Sequence, residues 1–313
     1  MASTAVGLRR QSIGARAHTL RHGLNWIFLL PTLIFFVGWQ VYPIFRVLWM
    51  SFTDYHFLRT NQPAAFVGLQ NYLNALQDPL LLTGLQRAAI FTALFLPGMI
   101  FVPMLLAILV DRVSHPGLAV TYRLILLIPA VIPGPLIFVL WKWLYNFTIG
   151  PIDYLLVQLG FVTAQTAPQW LGDPNLTLPA IAMMEVWWGL GYHTMFYLAG
   201  LAAIPKELFE AARVDGANEW SLFWNVTLPR LRPILLVLVV LRFGTAMAVI
   251  DEYLILGGFN RALPTYTWTV YMWDIAFQIG DWFQGYAAAI GWIGAAAMLV
   301  VVGGLFWVFR SRD

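Results

Sequence analysis

The stretch EAARVDGANEWSLFWNVTLPRLRP, Glu210–Pro233, is polar and lies between two long apolar segments. Just before it, Pro205 can begin a helix, because the missing N–H of proline is harmless in the first turn. Glu207 and Glu210 follow where the helix dipole favours acidic side chains. Gly216 offers the positive φ at which many helices end. The spacing therefore predicts a short helix between this proline and this glycine, joining two apolar segments.

The rest of the chain is strongly apolar. Of its 313 residues, 60% are hydrophobic and 11% are charged, whereas soluble domains carry about 25% charged residues. So few charges cannot cover a surface in water, so the surrounding solvent must be a lipid bilayer. The net charge of +3 gives no reason to expect nucleic-acid binding. The chain has no cysteine, and its five histidines show no metal-ligand spacing, so no metal site is predicted.

Six apolar segments are long enough to cross a bilayer, which takes about 20 helical residues. We expect these spans near residues 24–52, 87–110, 124–145, 176–203, 231–256 and 283–309. The prediction is an all-α integral membrane protein with six transmembrane helices. Residues 1–23 would form an N-terminal tail and residues 24–313 the transmembrane domain, with 257–281 as one of its outer loops.

The basic residues orient these spans. They concentrate in the N-terminal tail, in the loop before the third span, in segment 205–233 and at the C-terminus. With six spans all four regions lie on one side of the membrane. The positive-inside rule then places both termini in the cytoplasm, together with segment 205–233 between helices four and five.

The polar segment resembles the EAA loop of bacterial ABC-importer permeases. That family has Glu-Ala-Ala, Asp-Gly-Ala, a Phe, Leu-Pro and a further Pro in this order. The matching residues here are Glu210, Ala211, Ala212, Asp215, Gly216, Ala217, Phe223, Leu228, Pro229 and Pro233. The stretches LLPTLIFFVGWQVYPIFRVLWMSFTDY and FVGLQNY also resemble the maltose-type branch, in particular the first of its two paired permeases. The sequence departs from the family at 257–264, where GGFNRALP stands in place of the frequent Gly-Gly-Pro.

The resemblance implies that segment 205–233 contains a coupling helix that docks on a cytosolic ATPase. The residues that would carry this role are Glu210, Ala211, Ala212, Asp215, Gly216 and Ala217. It also implies a second permease subunit, two copies of the ATPase subunit, an extracytoplasmic sugar-binding protein and a place in the bacterial inner membrane. The chain has no Gly-x-x-x-x-Gly-Lys-Ser/Thr phosphate loop. It is therefore not expected to be an enzyme or to hold a cofactor, and ATP and Mg²⁺ would bind to the partner ATPase.

Candidate solute contacts come from the apolar segments, where an ionisable residue is costly and marks a functional hypothesis. Glu185 and Arg242 either face each other across a pathway or pair as a structural bridge. Aromatic side chains are further candidates because their faces pack against a pyranose ring, although Trp and Tyr also anchor membrane interfaces. The candidates are Glu185, Trp187, Trp188, Tyr192, Arg242, Asp251 and Tyr253.

A permease for a sugar is thus the leading interpretation. A permease for glycerol 3-phosphate or another polyol phosphate is an alternative, but a phosphate site gathers several Arg or Lys side chains, and Arg242 is the clear intramembrane candidate. An ion-coupled secondary transporter would show inverted repeats and midplane ion ligands, and it would leave the EAA-like segment unexplained. No catalytic residues are predicted.

Overall fold

The computed structural model describes residues 28–59, 61–280 and 282–310, and within these ranges the chain is helical apart from its connections and one β-bridge, Thr53 to Phe66. The helices are α1 Phe28–Ser51, α2 Gln70–Leu76, α3 Pro79–Asp111, α4 Pro116–Val131, α5 Gly134–Leu144, α6 Pro151–Gln158, α7 Thr177–Ala202, α8 Lys206–Val214, α9 Glu219–Leu222, α10 Leu228–Met247, α11 Asp251–Leu256, α12 Trp268–Phe277 and α13 Gln284–Arg310. The all-α prediction is confirmed, whereas the predicted tail, 1–23, lies outside the described residues.

Three helices, α1, α3 and α13, are each long and apolar enough to cross a membrane alone. The pair α4 and α5 meets this standard together, although the two helices are bent by 92°. The predicted fourth and fifth spans correspond to α7, with 26 residues, and α10, with 20. The count of six spans and the cytoplasmic termini stay predictions.

The third expected span, 124–145, is not one continuous helix. The chain breaks between α4 and α5 at Ile132, whose ψ of 129° is extended. The cause is Pro133, because a proline disfavours helical conformation in the residue before it. The indole N–H of Trp188 donates to the Ile132 carbonyl oxygen at 3.2 Å, so this carbonyl keeps a partner within the bundle.

The fifth expected span, 231–256, is also interrupted, because α10 ends at Met247 and α11 begins only at Asp251. The segment 257–281, expected as an outer loop, contains the largely buried helix α12. Two α12 side chains bind carbonyl groups at this interruption. Trp268 donates its indole N–H to the Met247 carbonyl at 2.8 Å, and Thr269 donates its hydroxyl to the Val249 carbonyl at 2.5 Å. With ten residues, α12 is too short to be counted as a span from sequence.

Helix α3 is the centre of the bundle. It packs most extensively on α7 and also contacts α10, α12 and α4. Small residues let the helix backbones approach closely, as is common in membrane bundles. At Gly84 of α3 an added Cβ would lie 2.5 Å from the amide nitrogen of Trp268, and at Gly191 of α7 it would overlap the Leu126 carbonyl of α4.

Two apolar clusters fill the bundle. The larger one surrounds the N-terminal half of α3 and includes side chains of α5, α7, α12 and α13. The smaller one, which we call the α8-side cluster, lies at the end of the bundle nearest α8. Its buried members are Met104, Ala107, Val110, Tyr197, Leu198, Leu201, Ile204, Leu231 and Leu238.

We predict that Gly191→Ala destabilises the fold, because the new methyl group overlaps the Leu126 carbonyl oxygen and has to push α4 away from α7. Overpacking of this kind costs about 1–3 kcal/mol. The measurement is the apparent melting temperature of the detergent-purified protein. Gly303→Ala in α13 is the matched control, because its Cβ meets no atom within 4 Å. Equal melting temperatures for the two variants would contradict the close α4–α7 contact.

Candidate functional site

A cavity of about 430 Å³ lies between α7, the C-terminal end of α10 and the start of α11. This volume is within the range of about 300–1,000 Å³ that is usual for small-molecule sites. Its lining residues are Phe91, Phe95, Glu185, Trp188, Arg242, Gly244, Thr245, Ala246, Ala248, Val249, Ile250, Asp251 and Glu252. The cavity owes its shape to the interruption after Met247, since the non-helical residues 248–250 form part of its wall.

Four of the predicted solute contacts meet at this cavity: Glu185, Trp188, Arg242 and Asp251. Glu185 is only 8% exposed, and its Oε1 atom has no hydrogen-bond partner in the described part of the chain. Coulombic interactions link this carboxyl to Glu252 and Arg242. Trp188 combines two contacts, since its N–H is bound to the Ile132 carbonyl and its ring packs edge-to-face on Phe138. The cavity thus has both charged and aromatic walls.

Arg242 is bound to a residue that the sequence did not single out. Its Nε–H donates to Nε2 of His193 on α7 at 2.6 Å. The Nδ1 atom of the same imidazole lies 2.7 Å from the Gly189 carbonyl oxygen. An imidazole that accepts at Nε2 and donates at Nδ1 satisfies both contacts as the neutral Nδ1–H tautomer. Among the described residues, Arg242 and Glu185 do not form a direct ion pair.

The other three predicted contacts lie outside the cavity lining. Trp187 packs edge-to-face on Trp141, with ring centroids 5.4 Å apart. Tyr192 is half exposed and packs on Phe196. Tyr253 is 1% exposed, and its ring lies edge-on to Phe91 in the larger apolar cluster. In this conformation these three rings serve packing between and along helices.

Sequence reasoning left out two polar residues of the site. Glu252 lines the cavity beside Asp251, and its position next to that carboxylate was the available signal. His193 is 1% exposed and reaches Arg242 from α7. The only sign of it was an ionisable side chain within an apolar segment, the same sign that identified Glu185.

The second candidate region is α8, the predicted coupling helix. Pro205 precedes its first residue, as expected. At its other end Gly216 has a φ of +83°, and its N–H donates to the Arg213 carbonyl at 3.0 Å. The Ala217 N–H donates to the Ala212 carbonyl at 2.9 Å. These two bonds form a Schellman motif, which satisfies the free carbonyls at a helix end. The predicted start and stop of this helix are confirmed.

Helix α8 has two distinct faces. Leu208 and Phe209 pack against the α8-side cluster, and Ala212 is half-buried on the same side. The opposite face is exposed at Glu207, Glu210, Ala211 and Val214, which follow the i, i+3, i+4, i+7 spacing of one helical stripe. Val214 is 88% exposed. Asp215 and Gly216 continue this surface, and Ala217 is half-buried behind them.

After the turn that follows α8, the chain enters one continuous helical run that extends to Met247. Asn218 caps α9, its side chain accepting from the Ser221 N–H at 2.9 Å. Helix α9 then continues through a π-helical turn, Phe223–Thr227, into α10. Glu219 on α9 accepts a hydrogen bond from Arg112, which follows α3. This exposed pair joins the α3–α4 connection to α9.

With this geometry established, comparison with known proteins gives the family. The model of the family described as "Binding-protein-dependent transport system inner membrane component" matches residues 81–311. The chain belongs to this family. The match covers the whole described bundle from early α3 to the end of α13, so the cavity and α8 both lie within the family's domain.

Individual members of the family are similar over nearly the whole chain. The sulfoquinovosyl glycerol transport system permease protein SmoG of Agrobacterium fabrum is 29% identical over 288 residues, 92% of this chain and 90% of that protein. The trehalose/maltose transport system permease protein MalF of Thermococcus litoralis is 31% identical over 270 residues, 85% and 88% of the two chains. A chain from the crystal structure of a bacterial ABC transporter that imports alginate has the same fold, with a TM-score of 0.81 at 22% identity, over 96% of this chain and 99% of that chain.

We predict that a cysteine placed at Gly244 reacts with a water-soluble thiol reagent. The glycine lines the cavity, and an added Cβ there meets no atom within 4 Å. A thiol reacts as the thiolate, which forms readily only where water has access. Leu238→Cys on the same helix is the control, because Leu238 is 3% exposed in the α8-side cluster. The chain has no native cysteine, so labelling reports these positions alone, and equal labelling would contradict a water-accessible cavity.

Proposed function

We propose that the chain is the transmembrane permease subunit of an ATP-driven ABC importer for a sugar, and that α8 couples its pore to a cytosolic ATPase. Family membership supports transport through the inner membrane. The relatives named for trehalose/maltose and for sulfoquinovosyl glycerol support a solute that contains a sugar. In this proposal the sugar is a mono-, di- or oligosaccharide, and ATP and Mg²⁺ bind to the separate ATPase subunits.

The observation that carries the coupling role is the exposed face of α8. Its stripe of Glu207, Glu210, Ala211 and Val214 is solvent-accessible, although the opposite face is packed on the α8-side cluster. The small side chain of Ala211 lets another surface approach, and Val214 supplies an apolar contact. The proline at the start and the Schellman motif at the end give the helix fixed limits. A partner that moves α8 would therefore move this helix as one rigid unit.

Movement of α8 would reach the pore by a short route. Only residues 203–205 separate α8 from α7, and α9 continues into α10. These are the two helices that carry Glu185 and Arg242 into the cavity. Glu210, Ala211, Ala212, Asp215, Gly216 and Ala217 are thus proposed as the coupling residues, whereas Glu185, Trp188, Arg242 and Asp251 are proposed as contacts for the solute.

The charges of the cavity favour a sugar without a phosphate group. A phosphate site uses several Arg or Lys donors, but the cavity lining contains one such side chain, Arg242, with three acids, Glu185, Asp251 and Glu252. Carboxylates accept hydrogen bonds from sugar hydroxyls, and the face of Trp188 is suited to the apolar side of a pyranose. This distribution of charge opposes the polyol phosphate alternative.

The proposal also assigns partners to the outer surface. Within the described part of the chain α1 packs on α13, and most of its side chains are exposed, including Trp39 at 78%. An apolar helix in this position would contact lipid and the second permease subunit. Two ATPase subunits on the α8 side and an extracytoplasmic sugar-binding protein on the other complete the proposed importer, a multi-pass complex of the bacterial inner membrane.

We predict that Gly216→Pro uncouples ATP hydrolysis from sugar uptake. Proline fixes φ near −65° and has no N–H, whereas Gly216 has φ +83° and donates its N–H to Arg213. The end of α8 would have to unfold, and uptake should fall to background in proteoliposomes that contain the complete importer. Gly216→Asn is the matched control, since asparagine tolerates positive φ and the site has space for a side chain; it should retain most uptake.

Two results would contradict this proposal. The first is Gly216→Pro with normal uptake and normal sugar-dependent ATP hydrolysis. The second is uptake by the chain alone in liposomes without ATP, which would favour an ion-coupled transporter. The solute itself is identified by a competition panel with the cognate binding protein, in which neutral sugars should displace the labelled solute and glycerol 3-phosphate should not.

A further inference from the structure

The cavity ends towards α8 at the contact between Arg242 and His193. Arg242 is the lining residue of α10 that lies nearest to the N-terminus of this helix. On α7, His193 follows the lining residue Glu185 by eight positions, about 12 Å along the helix at 1.5 Å per residue. Beyond the pair, towards α8, the space between α7 and α10 is filled by Leu198, Leu201 and Leu238. The pair therefore lies at the boundary between the cavity and the α8-side cluster.

The contact joins two helices that α8 would move. Arg242 belongs to α10 and His193 to α7, and the hydrogen bond between them is 2.6 Å long. Closer to α8 the same helices meet without any gap, because a Cβ on Gly200 would overlap side-chain atoms of Ile234 and Leu231. Any sliding of α10 against α7 thus has to change the Arg242–His193 contact.

Arg242 also has a second acceptor within the cavity. Glu185 attracts it electrostatically, and one oxygen of this carboxyl, Oε1, is buried without a hydrogen-bond partner. A buried carboxylate oxygen without a donor is costly, so an arrangement in which Arg242 binds Glu185 would remove that cost. The arginine therefore has two acceptors on α7: Nε2 of His193, which it occupies, and Oε1 of Glu185, whose carboxyl also interacts with Glu252.

We propose that Arg242 alternates between His193 and Glu185, and that the His193-bound arrangement closes the α8 end of the solute cavity. His193 is then a positioning residue that holds the guanidinium across the passage. When α8 moves α7 away from α10, Arg242 transfers to Glu185, the leucine contacts beyond the pair separate, and the passage towards α8 opens. This mechanism rests on the proposed transport function and adds a gate to it. Both arrangements keep the arginine bound, so neither leaves the guanidinium unpaired inside the bundle.

The test uses the complete importer with two spin labels on this subunit, at Ala203→Cys and Arg230→Cys. Both residues are exposed and lie at the adjoining ends of α7 and α10, and the subunit has no native cysteine. Pulsed electron paramagnetic resonance then measures the distance between the two labels and gives the populations of the closed and open states. His193→Leu should shift the ratio towards open by about tenfold, as expected for the loss of a hydrogen bond to a charged group. Glu185→Gln should shift it towards closed by a similar factor.

Thr194→Val is the matched control on the same turn of α7. Thr194 is fully buried, and its hydroxyl donates within its own helix to the Leu190 carbonyl, so the ratio should stay unchanged. His193→Gln retains an acceptor and should restore part of the closed population. If His193→Leu does not assemble, the shift caused by Glu185→Gln decides the question alone.

Opposite shifts for the two variants support the gate, because a structural role alone would move both in one direction. Shifts of the same sign, or shifts no larger than that of Thr194→Val, would overturn it. Stimulation of ATP hydrolysis by solute and binding protein in the wild-type importer keeps the two proposals separate. If stimulation is present and the distances do not respond, the gate fails and the proposed function stands; if stimulation is absent, the proposed function fails.

Discussion

A helix that breaks inside an apolar bundle exposes carbonyl groups that have no water to bind, and the rest of this structure depends on how those carbonyls are satisfied. The solution at two interruptions is an indole N–H from another helix. Trp188 donates to the Ile132 carbonyl between α4 and α5, and Trp268 donates to the Met247 carbonyl at the end of α10. The same requirement explains why α12 is buried between α3 and α13, since it carries one of these donors.

The interruption after Met247 shapes the cavity. A straight continuation of α10 would keep Ala248–Ile250 helical, whereas these residues instead form part of the wall that faces Glu185. The start of α11 then brings Asp251 and Glu252 to the same space. Polar groups are thus gathered inside an apolar bundle without a separate binding domain. Trp188 takes part in both features, as a donor to a break and as a wall of the cavity.

The local features of the fold were the most predictable from sequence. Pro205 and Gly216 set the limits of α8 because each acts on its own backbone conformation. The apolar stretches predicted α1, α7 and α13 within a few residues, whereas α3 begins at Pro79, eight residues before its expected start. The break after Met247 was missed because hydropathy is averaged over a window in which three non-helical residues carry little weight. The contact between His193 and Arg242 joins residues 49 positions apart, and no spacing rule connects them. Trp188, a predicted solute contact, lines the cavity, but its bond to the Ile132 carbonyl joins residues 56 positions apart, which no spacing rule connects.

The break after Met247 also separates two helices that have different neighbours. On one side of it, α10 is continuous with α9, which follows α8, the helix proposed to contact the ATPase. On the other side, α11 is attached to α5, where Lys142 donates to the Ile255 carbonyl at 2.6 Å. Substitutions in 248–256 can therefore reshape the cavity wall without altering α8, α9 or α10. A permease with this arrangement can change the lining of its cavity during evolution and still keep the exposed surface of α8 unchanged.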